Sequence, residues 1–79
     1  MNNIERYNAI FKKTFNVDES SLNSNLAAGL HEKWDSITHL SLITSLEDEF
    51  DIMMDSEDIL ELRSYEIGKQ VLLKYGIEL

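Results

Sequence analysis

A carboxylate, a hydroxyl and an imidazole lie in one short segment of the chain, at Asp35, Ser36 and His39. If His39 accepted the serine proton, Ser36 could act as a nucleophile, as in serine hydrolases. The chain has no Gly-x-Ser-x-Gly sequence to expose such a nucleophile on a strained turn. Aspartate and serine are also common helix caps, and helical spacing places His39 on the side of the core. We therefore predict a helix start at Ser36 and a packing role for His39, not a hydrolytic site.

The segment after Ser36 has the spacing of a helix with two different faces. At about 100° per residue, one face is entirely apolar and predicts contact with the core. The opposite face mixes apolar with hydroxyl and acidic side chains, which is typical of a surface that docks another protein. An alternative is that Ile37 and Leu40 on this second face pack beneath a neighbouring loop. The core face contains Leu42, Ile43, Leu46 and Phe50; the opposite face contains Ile37, Leu40, Ser41, Thr44, Glu47 and Asp48.

The rest of the chain also predicts helices, because it contains no proline and only three glycines. We expect an all-α bundle of three main helices and one short helix, forming a single domain over residues 1–79. The first helix should cover residues 3–15 after an Asn2 cap, and the second should begin at Asp35-Ser36. Asp55 or Ser56 should cap the short third helix, with Asp58 completing a capping box. The fourth should begin near Ser64, bury Ile67, Gly68, Val71, Leu72 and Tyr75, and end at Gly76.

Residues 16–34 form a long connection between the first two helices. A connection of this length is unusual in a small domain unless its own side chains hold it in place. We predict a loop whose apolar residues pack across the helices, although their spacing also permits a short helix. These residues are Val17, Leu22, Leu26 and Leu30.

The composition excludes several classes of function. Fifteen acidic and seven basic residues give a formal charge of −8, which disfavours binding to nucleic acid or to anionic lipid. Such a charge favours partners with basic patches, although it can also serve solubility alone. Cysteine is absent, and neither a signal peptide nor a membrane-spanning stretch is recognisable. We expect a cytoplasmic monomer that does not insert into membranes.

Metal and cofactor sites are not indicated by the remaining candidate residues. Residues 48–57 are acidic, but Ile52 and the following methionines occupy the ligand and turn positions of an EF-hand, and its glycine is missing. His31 and Glu32 do not continue into the zinc spacing of His-Glu-x-x-His. We predict no metal site, and we expect Trp34, Met53 and Met54 to be packing residues.

Residues 34–40, with the sequence Trp-Asp-Ser-Ile-Thr-His-Leu, resemble the Asp-Ser-Leu motif of acyl and peptidyl carrier proteins. Ile37 replaces the usual leucine conservatively. The sequence Leu-Glu-Asp-Glu-Phe-Asp at residues 46–51 is similar to the Leu-Glu-Glu-Glu-Phe run at the end of the family's second helix. The resemblance continues through the turn before the third helix and through the last helix, so it covers essentially the whole chain without an insertion.

The resemblance implies that Ser36 carries a 4′-phosphopantetheine arm. In this family a phosphopantetheinyl transferase moves the arm from coenzyme A to the motif serine, and the thiol of the arm then holds acyl groups as thioesters. Asp35 would cap the helix and help the transferase to recognise the serine. The local chemistry is consistent with this, because an exposed helix N-terminus stabilises an anion by roughly 0.3–1 kcal/mol. The chain itself would not be an enzyme.

The resemblance also implies that the second helix docks partner enzymes through Ile37, Leu40, Glu47 and Asp48. The partners would be acyl ligases, synthases or transferases with basic patches, in fatty-acid or in specialised lipid or polyketide-type biosynthesis. Thr38 and Ser41 replace residues that are acidic in many fatty-acid carriers, and Asp55 stands near a frequent proline. These departures, with Trp34 and His39 beside the motif, favour a specialised pathway. A peptidyl or aminoacyl carrier, or an unmodified docking module of the same fold, is the alternative.

Overall fold

The computed structural model describes residues 2–79, which form four α-helices and no strand. This confirms the predicted all-α bundle with three longer helices and one short helix. Within residues 2–79, no helix has the length and apolar character needed to cross a membrane. The helices are α1 (Asn3–Phe15), α2 (Ser36–Phe50), α3 (Ser56–Glu61) and α4 (Tyr65–Leu73), and a short 3-10 helix covers Glu19–Ser21.

The longer helices begin at side-chain caps that satisfy backbone groups at their first turns. The Asn2 side chain accepts a hydrogen bond from the Glu5 backbone N–H at 3.0 Å, and Ser64 Oγ accepts one from the Ile67 backbone N–H at 2.9 Å. After α4 the chain turns at Gly76, whose φ of 81° lies in the left-handed region that glycine adopts without strain. The predicted bounds of α1 and the predicted start of α4 are therefore confirmed, whereas α4 ends at Leu73, before Gly76.

The capping box predicted for α3 is wrong. Asp55 is the N-cap residue, but its side chain caps no backbone N–H. The Asp58 carboxylate instead accepts a hydrogen bond from the Tyr75 hydroxyl at 2.6 Å and one from the Lys74 ammonium at 3.2 Å. Because the Tyr75 hydroxyl also accepts from the Asp55 backbone N–H at 2.8 Å, α3 is attached to the end of α4 rather than capped by its own side chains.

The core lies where α1, α2 and α4 meet, and it includes all four residues of the predicted core face of α2. Tyr7 in α1 is completely buried, and its hydroxyl donates to the Tyr65 carbonyl oxygen at 2.7 Å. A Cβ atom at Gly68 would lie only 2.1 Å from that hydroxyl, so this close approach of α4 to α1 requires glycine. The largest fully buried side chains are Tyr7, Phe11, Phe15, Leu26, Leu42, Leu46, Leu62, Leu72 and Val71.

The long connection is a loop, as predicted, and backbone hydrogen bonds attach it to the junction between α3 and α4. The Ala28 N–H donates to the Arg63 carbonyl oxygen at 2.7 Å, and the Tyr65 N–H donates to the Leu26 carbonyl oxygen at 2.9 Å. Together these bonds form a bridge between Ala27 and Ser64. Leu26 is buried beneath the bridge, while Val17 and Leu22 are half-buried against the core.

The packing role predicted for three residues is wrong, because all three are exposed. Leu30 is 71% exposed, because the chain turns between Ala27 and Leu30 and carries this side chain away from the core. Ile67 lies on the flank of α4 instead of its buried face and is exposed. Met53 is 87% exposed, whereas its neighbour Met54 is buried as predicted.

Candidate functional site

Ser36 is the first residue of α2, and it is exposed to solvent. Asp35 caps the helix as predicted, because its carboxylate accepts a hydrogen bond from the Thr38 backbone N–H at 2.8 Å. Hydrogen bonds from Thr38, the backbone bond first, hold the pKa of the Asp35 carboxyl below its ordinary value. The site therefore presents an accessible hydroxyl at a helix N-terminus, beside a carboxylate that is ionised at neutral pH.

His39 is half-buried and hydrogen-bonded through both ring nitrogens. The Trp34 indole N–H donates to His39 Nδ1 at 3.0 Å, and His39 Nε2 lies 2.8 Å from the Ile59 carbonyl oxygen. The indole is only a donor and the carbonyl only an acceptor, so these partners assign the neutral tautomer with its proton on Nε2. His39 therefore links α2 to α3, and neither ring nitrogen is available to accept a proton from Ser36.

Trp34 is buried where the long loop reaches α2. Its ring packs against Phe15 with ring centroids 4.7 Å apart, and against Phe11 at 6.1 Å. The indole thus satisfies its N–H through His39 and contributes its apolar surface to the core, which confirms the predicted packing role. This packing fixes the backbone immediately before Asp35 and Ser36.

A cleft of about 490 Å³ opens beside Ser36, between α2 and α3. Its walls combine apolar side chains with the linked Trp34 and His39 pair, and one basic residue, Arg63, also lines it. Leu60 in α3 is largely exposed, so the cleft is open to solvent. The residues of the two helices that line it are Ser36, His39, Leu40, Ile59 and Leu60, and Ala28 of the long loop joins them.

The predicted outer face of α2 is exposed at its apolar positions. Ile37 is 81% exposed and Leu40 is 61% exposed. The alternative that these two residues pack beneath the long loop is therefore wrong. Ser41, Thr44 and Asp48 are exposed on the same helix.

Three members of this face line depressions on two different sides of α2. Ser41 and Asp48 line a second groove of about 670 Å³ between α1 and α2, which Arg6 and Lys13 of α1 also line. Ser36 and Leu40 line the cleft on the opposite side, toward α3. Of the residues predicted as one partner-binding surface, Ser41 and Asp48 therefore line one depression and Leu40 lines another.

Glu47 has a partner within the chain, although it was predicted to face a partner protein. Its carboxylate accepts a hydrogen bond from the Met54 backbone N–H at 2.9 Å and is half-buried. This bond holds the connection between α2 and α3 against the end of α2. Glu47 therefore has a structural role within the chain, in addition to any role in docking.

Two parts of the site were not predicted from the sequence. Leu60 and Arg63 come from the far side of the cleft, and only the pairing of the long loop with the α3–α4 junction brings that side near Ser36. The link from Trp34 through His39 to Ile59 was also missed. The available signal was an indole donor and an imidazole acceptor that flank a helix start, five positions apart.

In the described part of the chain, residues 2–79, histidine and carboxylate side chains do not come together in a group that could hold a metal ion. Comparison with protein-family models, with curated proteins and with solved structures found no match to this chain.

Proposed function

We propose that this chain is an acyl carrier protein in which Ser36 bears a 4′-phosphopantetheine arm. The observation that carries the proposal is the exposed Ser36 hydroxyl at the first residue of a capped helix, with an apolar-walled cleft beside it. The resemblance of residues 34–40 and 46–51 to carrier-protein motifs supports the same assignment. The bound arm would supply a thiol that holds acyl groups as thioesters.

The residues around Ser36 fit a phosphate-linked group. During transfer the Ser36 oxygen would form a new bond to phosphorus, the pyrophosphate of coenzyme A would be cleaved, and adenosine bisphosphate would leave. A base of the transferase would take the serine proton. The helix N-terminus favours the resulting phosphodiester anion, whereas the ionised Asp35 disfavours it. We therefore assign Asp35 to capping and to recognition by the transferase rather than to holding the phosphate.

The surroundings of Ser36 support a carrier rather than an enzyme. Both nitrogens of His39 bond to groups other than Ser36, so the three residues that could have formed a hydrolytic site do not act on one another. The cleft gives a flexible arm an apolar surface at Leu40 and Leu60. Tethering then raises the local concentration of the carried group at the active site of each partner.

The charge and the exposed apolar residues fit enzymes with basic, partly apolar docking patches. Ile37 and Leu40 offer apolar contact at the centre of the face, and a net charge of −8 steers basic partners toward it. In this proposal Thr44 and Ser41 contribute polar contacts and Asp48 a charged one. Rim charges mainly affect association rates, so docking should weaken as salt increases.

Modification of Ser36 is tested with coenzyme A and a phosphopantetheinyl transferase of broad specificity. We expect the wild-type chain to gain the mass of one phosphopantetheine, and Ser36→Ala to gain none. Ser41→Ala is the matched control, because Ser41 is an exposed serine on the same helix, and it should be modified like the wild type. Tandem mass spectrometry would assign the modified residue.

A wild-type chain that stays unmodified under conditions in which a known carrier is loaded would overturn the proposal. Modification of Ser36→Ala at wild-type yield would contradict the assigned residue. Loading of holo-protein by amino-acid-activating enzymes but not by acyl-activating enzymes would replace an acyl cargo with an aminoacyl one.

A further inference from the structure

We infer that the Arg63 guanidinium binds the phosphodiester attached to Ser36 and so positions the arm in the cleft between α2 and α3. This inference rests on the proposed function, because it requires modification of Ser36. It assigns a role to a residue outside the carrier motif, on a different part of the fold.

Arg63 differs from most of the basic residues in having no ionic partner. Within residues 2–79, four basic side chains form ion pairs, and the Lys33 ammonium donates to the Phe15 carbonyl oxygen. Arg63 and Lys13 are the two basic residues of this part of the chain whose side chains have neither an ion-pair nor a hydrogen-bond partner. The paired side chains are Arg6 with Glu49, Lys12 with Glu19, Lys69 with Glu66, and Lys74 with Asp58 and Glu61.

The position of Arg63 connects it to Ser36, because both residues line the same cleft. Lys13, in contrast, lines the groove between α1 and α2. The Arg63 backbone is held by the hydrogen bond from the Ala28 N–H to its carbonyl oxygen, while its side chain is exposed. An exposed arginine on a fixed backbone can turn toward an anion without disturbing the fold.

The charge balance at the cleft favours a cation near the modified serine. Modification of Ser36 adds one negative charge to a chain whose formal charge is already −8, and it adds that charge beside Asp35. The low pKa of Asp35 keeps this carboxylate ionised. Arg63 is the basic residue lining the cleft, and guanidinium groups bind phosphate oxygens through two parallel hydrogen bonds.

The inference is tested by nuclear magnetic resonance on holo-protein, with Arg63→Gln, Arg63→Lys and Lys13→Gln as variants. At low salt we expect the ³¹P resonance of the phosphodiester to shift in Arg63→Gln and to shift less in Arg63→Lys, which keeps the charge. Lys13→Gln should match the wild type, because Lys13 lies in the other groove. The Arg63 Nε–H resonance should move between apo- and holo-protein, whereas that of Arg6, which is bound to Glu49, should not.

Salt provides a second measurement on the same samples. About 1 M salt reduces the screening length to roughly 3 Å, so the ³¹P difference between wild type and Arg63→Gln should largely disappear. Circular dichroism should show that the variants fold, because the Arg63 contact that holds the loop is made by the backbone.

Identical ³¹P resonances in wild type, Arg63→Gln and Lys13→Gln would overturn this inference while the proposed function stands. A shift in Arg63→Gln accompanied by an equal shift in Lys13→Gln would also overturn it, since the effect would then be one of net charge. If Arg63→Gln instead weakened binding to a partner enzyme without changing the ³¹P resonance, Arg63 would be a docking residue. Failure of Ser36 to be modified would overturn both proposals together.

Discussion

The two sides of α2 are built in different ways. Toward α1 and α4, aromatic side chains interlock, and Tyr7 fits against Gly68 with no room for a methyl group. Arg6 on the same side pairs with Glu49 at 2.7 Å, donates to its carbonyl oxygen and lies over the Phe50 ring. Toward α3, by contrast, the wall of the Ser36 cleft is a helix of six residues with none fully buried.

Hydrogen bonds hold α3 against the rest of the fold, whereas apolar packing holds α1. His39 bonds to the Ile59 carbonyl oxygen, Glu47 to the Met54 N–H, and Asp58 to the Tyr75 hydroxyl. Segments with few buried apolar contacts open at lower free energy than the core around them. From this contrast we expect the width of the cleft to change while the position of Ser36 stays fixed, which would let the arm of the proposed carrier enter and leave the cleft.

Gly68→Ala should have the largest effect on stability, because it would push α4 away from α1 where Gly68 meets Tyr7. The added methyl group would overlap the buried Tyr7 hydroxyl, and overpacking of this kind costs about 1–3 kcal/mol. The gain in helix propensity of roughly 1 kcal/mol offsets part of that cost. We expect a net decrease in the free energy of unfolding, measured by urea denaturation.

A double variant serves as the control for the Gly68 prediction. Tyr7→Phe removes the overlapping hydroxyl, so Tyr7→Phe with Gly68→Ala should lose less stability than the sum of the two single variants. Additive losses, or a Gly68→Ala protein as stable as the wild type, would show that the contact between α1 and α4 is looser than described.

His39→Phe should have a smaller and more local effect on the side of α3. The variant leaves the Trp34 N–H and the Ile59 carbonyl without their partner, and a lost hydrogen bond of this kind costs about 1 kcal/mol. Native-state hydrogen exchange should then show faster exchange of the Ile59 and Leu62 amides, by roughly fivefold, because about 1.4 kcal/mol corresponds to tenfold. The amides of α1 should be unchanged, and equal acceleration in both helices would contradict the contrast between the two sides.

Acid should weaken the attachment of α3 to α4 through Asp58. The hydrogen bond from Tyr75, followed by that from Lys74, holds the pKa of Asp58 below its ordinary value of about 3.9. The folded pKa is lower than the unfolded one, so this stabilisation is complete above the unfolded value and is lost as pH falls through the folded one. The difference in Tm between wild type and Asp58→Asn should therefore be constant near neutral pH and narrow below about pH 4.

A carboxyl ¹³C titration provides the control for the Asp58 prediction. Tyr75→Phe removes the first donor, so the pKa of Asp58 in this variant should move back toward the ordinary value. A Tm difference between wild type and Asp58→Asn that persists unchanged into strong acid would contradict the proposed linkage.

The sequence predicted local structure more completely than it predicted the cleft. Helical periodicity and caps gave the bounds of α1, the start of α2 and its core face, because these depend on neighbouring residues. The position of Arg63 depends on backbone pairing with Ala28, which no periodicity reveals. The predicted capping box was wrong because of a similar distant contact. Asp58 bonds to Tyr75, which follows α4 and is remote from Asp58 in sequence.

The bridge between Ala27 and Ser64 has a kinetic consequence. It joins parts of the chain that are remote in sequence. Such contacts form slowly, because closing the intervening segment costs conformational entropy before the contact can stabilise the fold. We expect α1 and α2 to associate early during refolding and this bridge to form late. Nascent or refolding chains would thus gain the serine-bearing helix before they gain the far wall of its cleft.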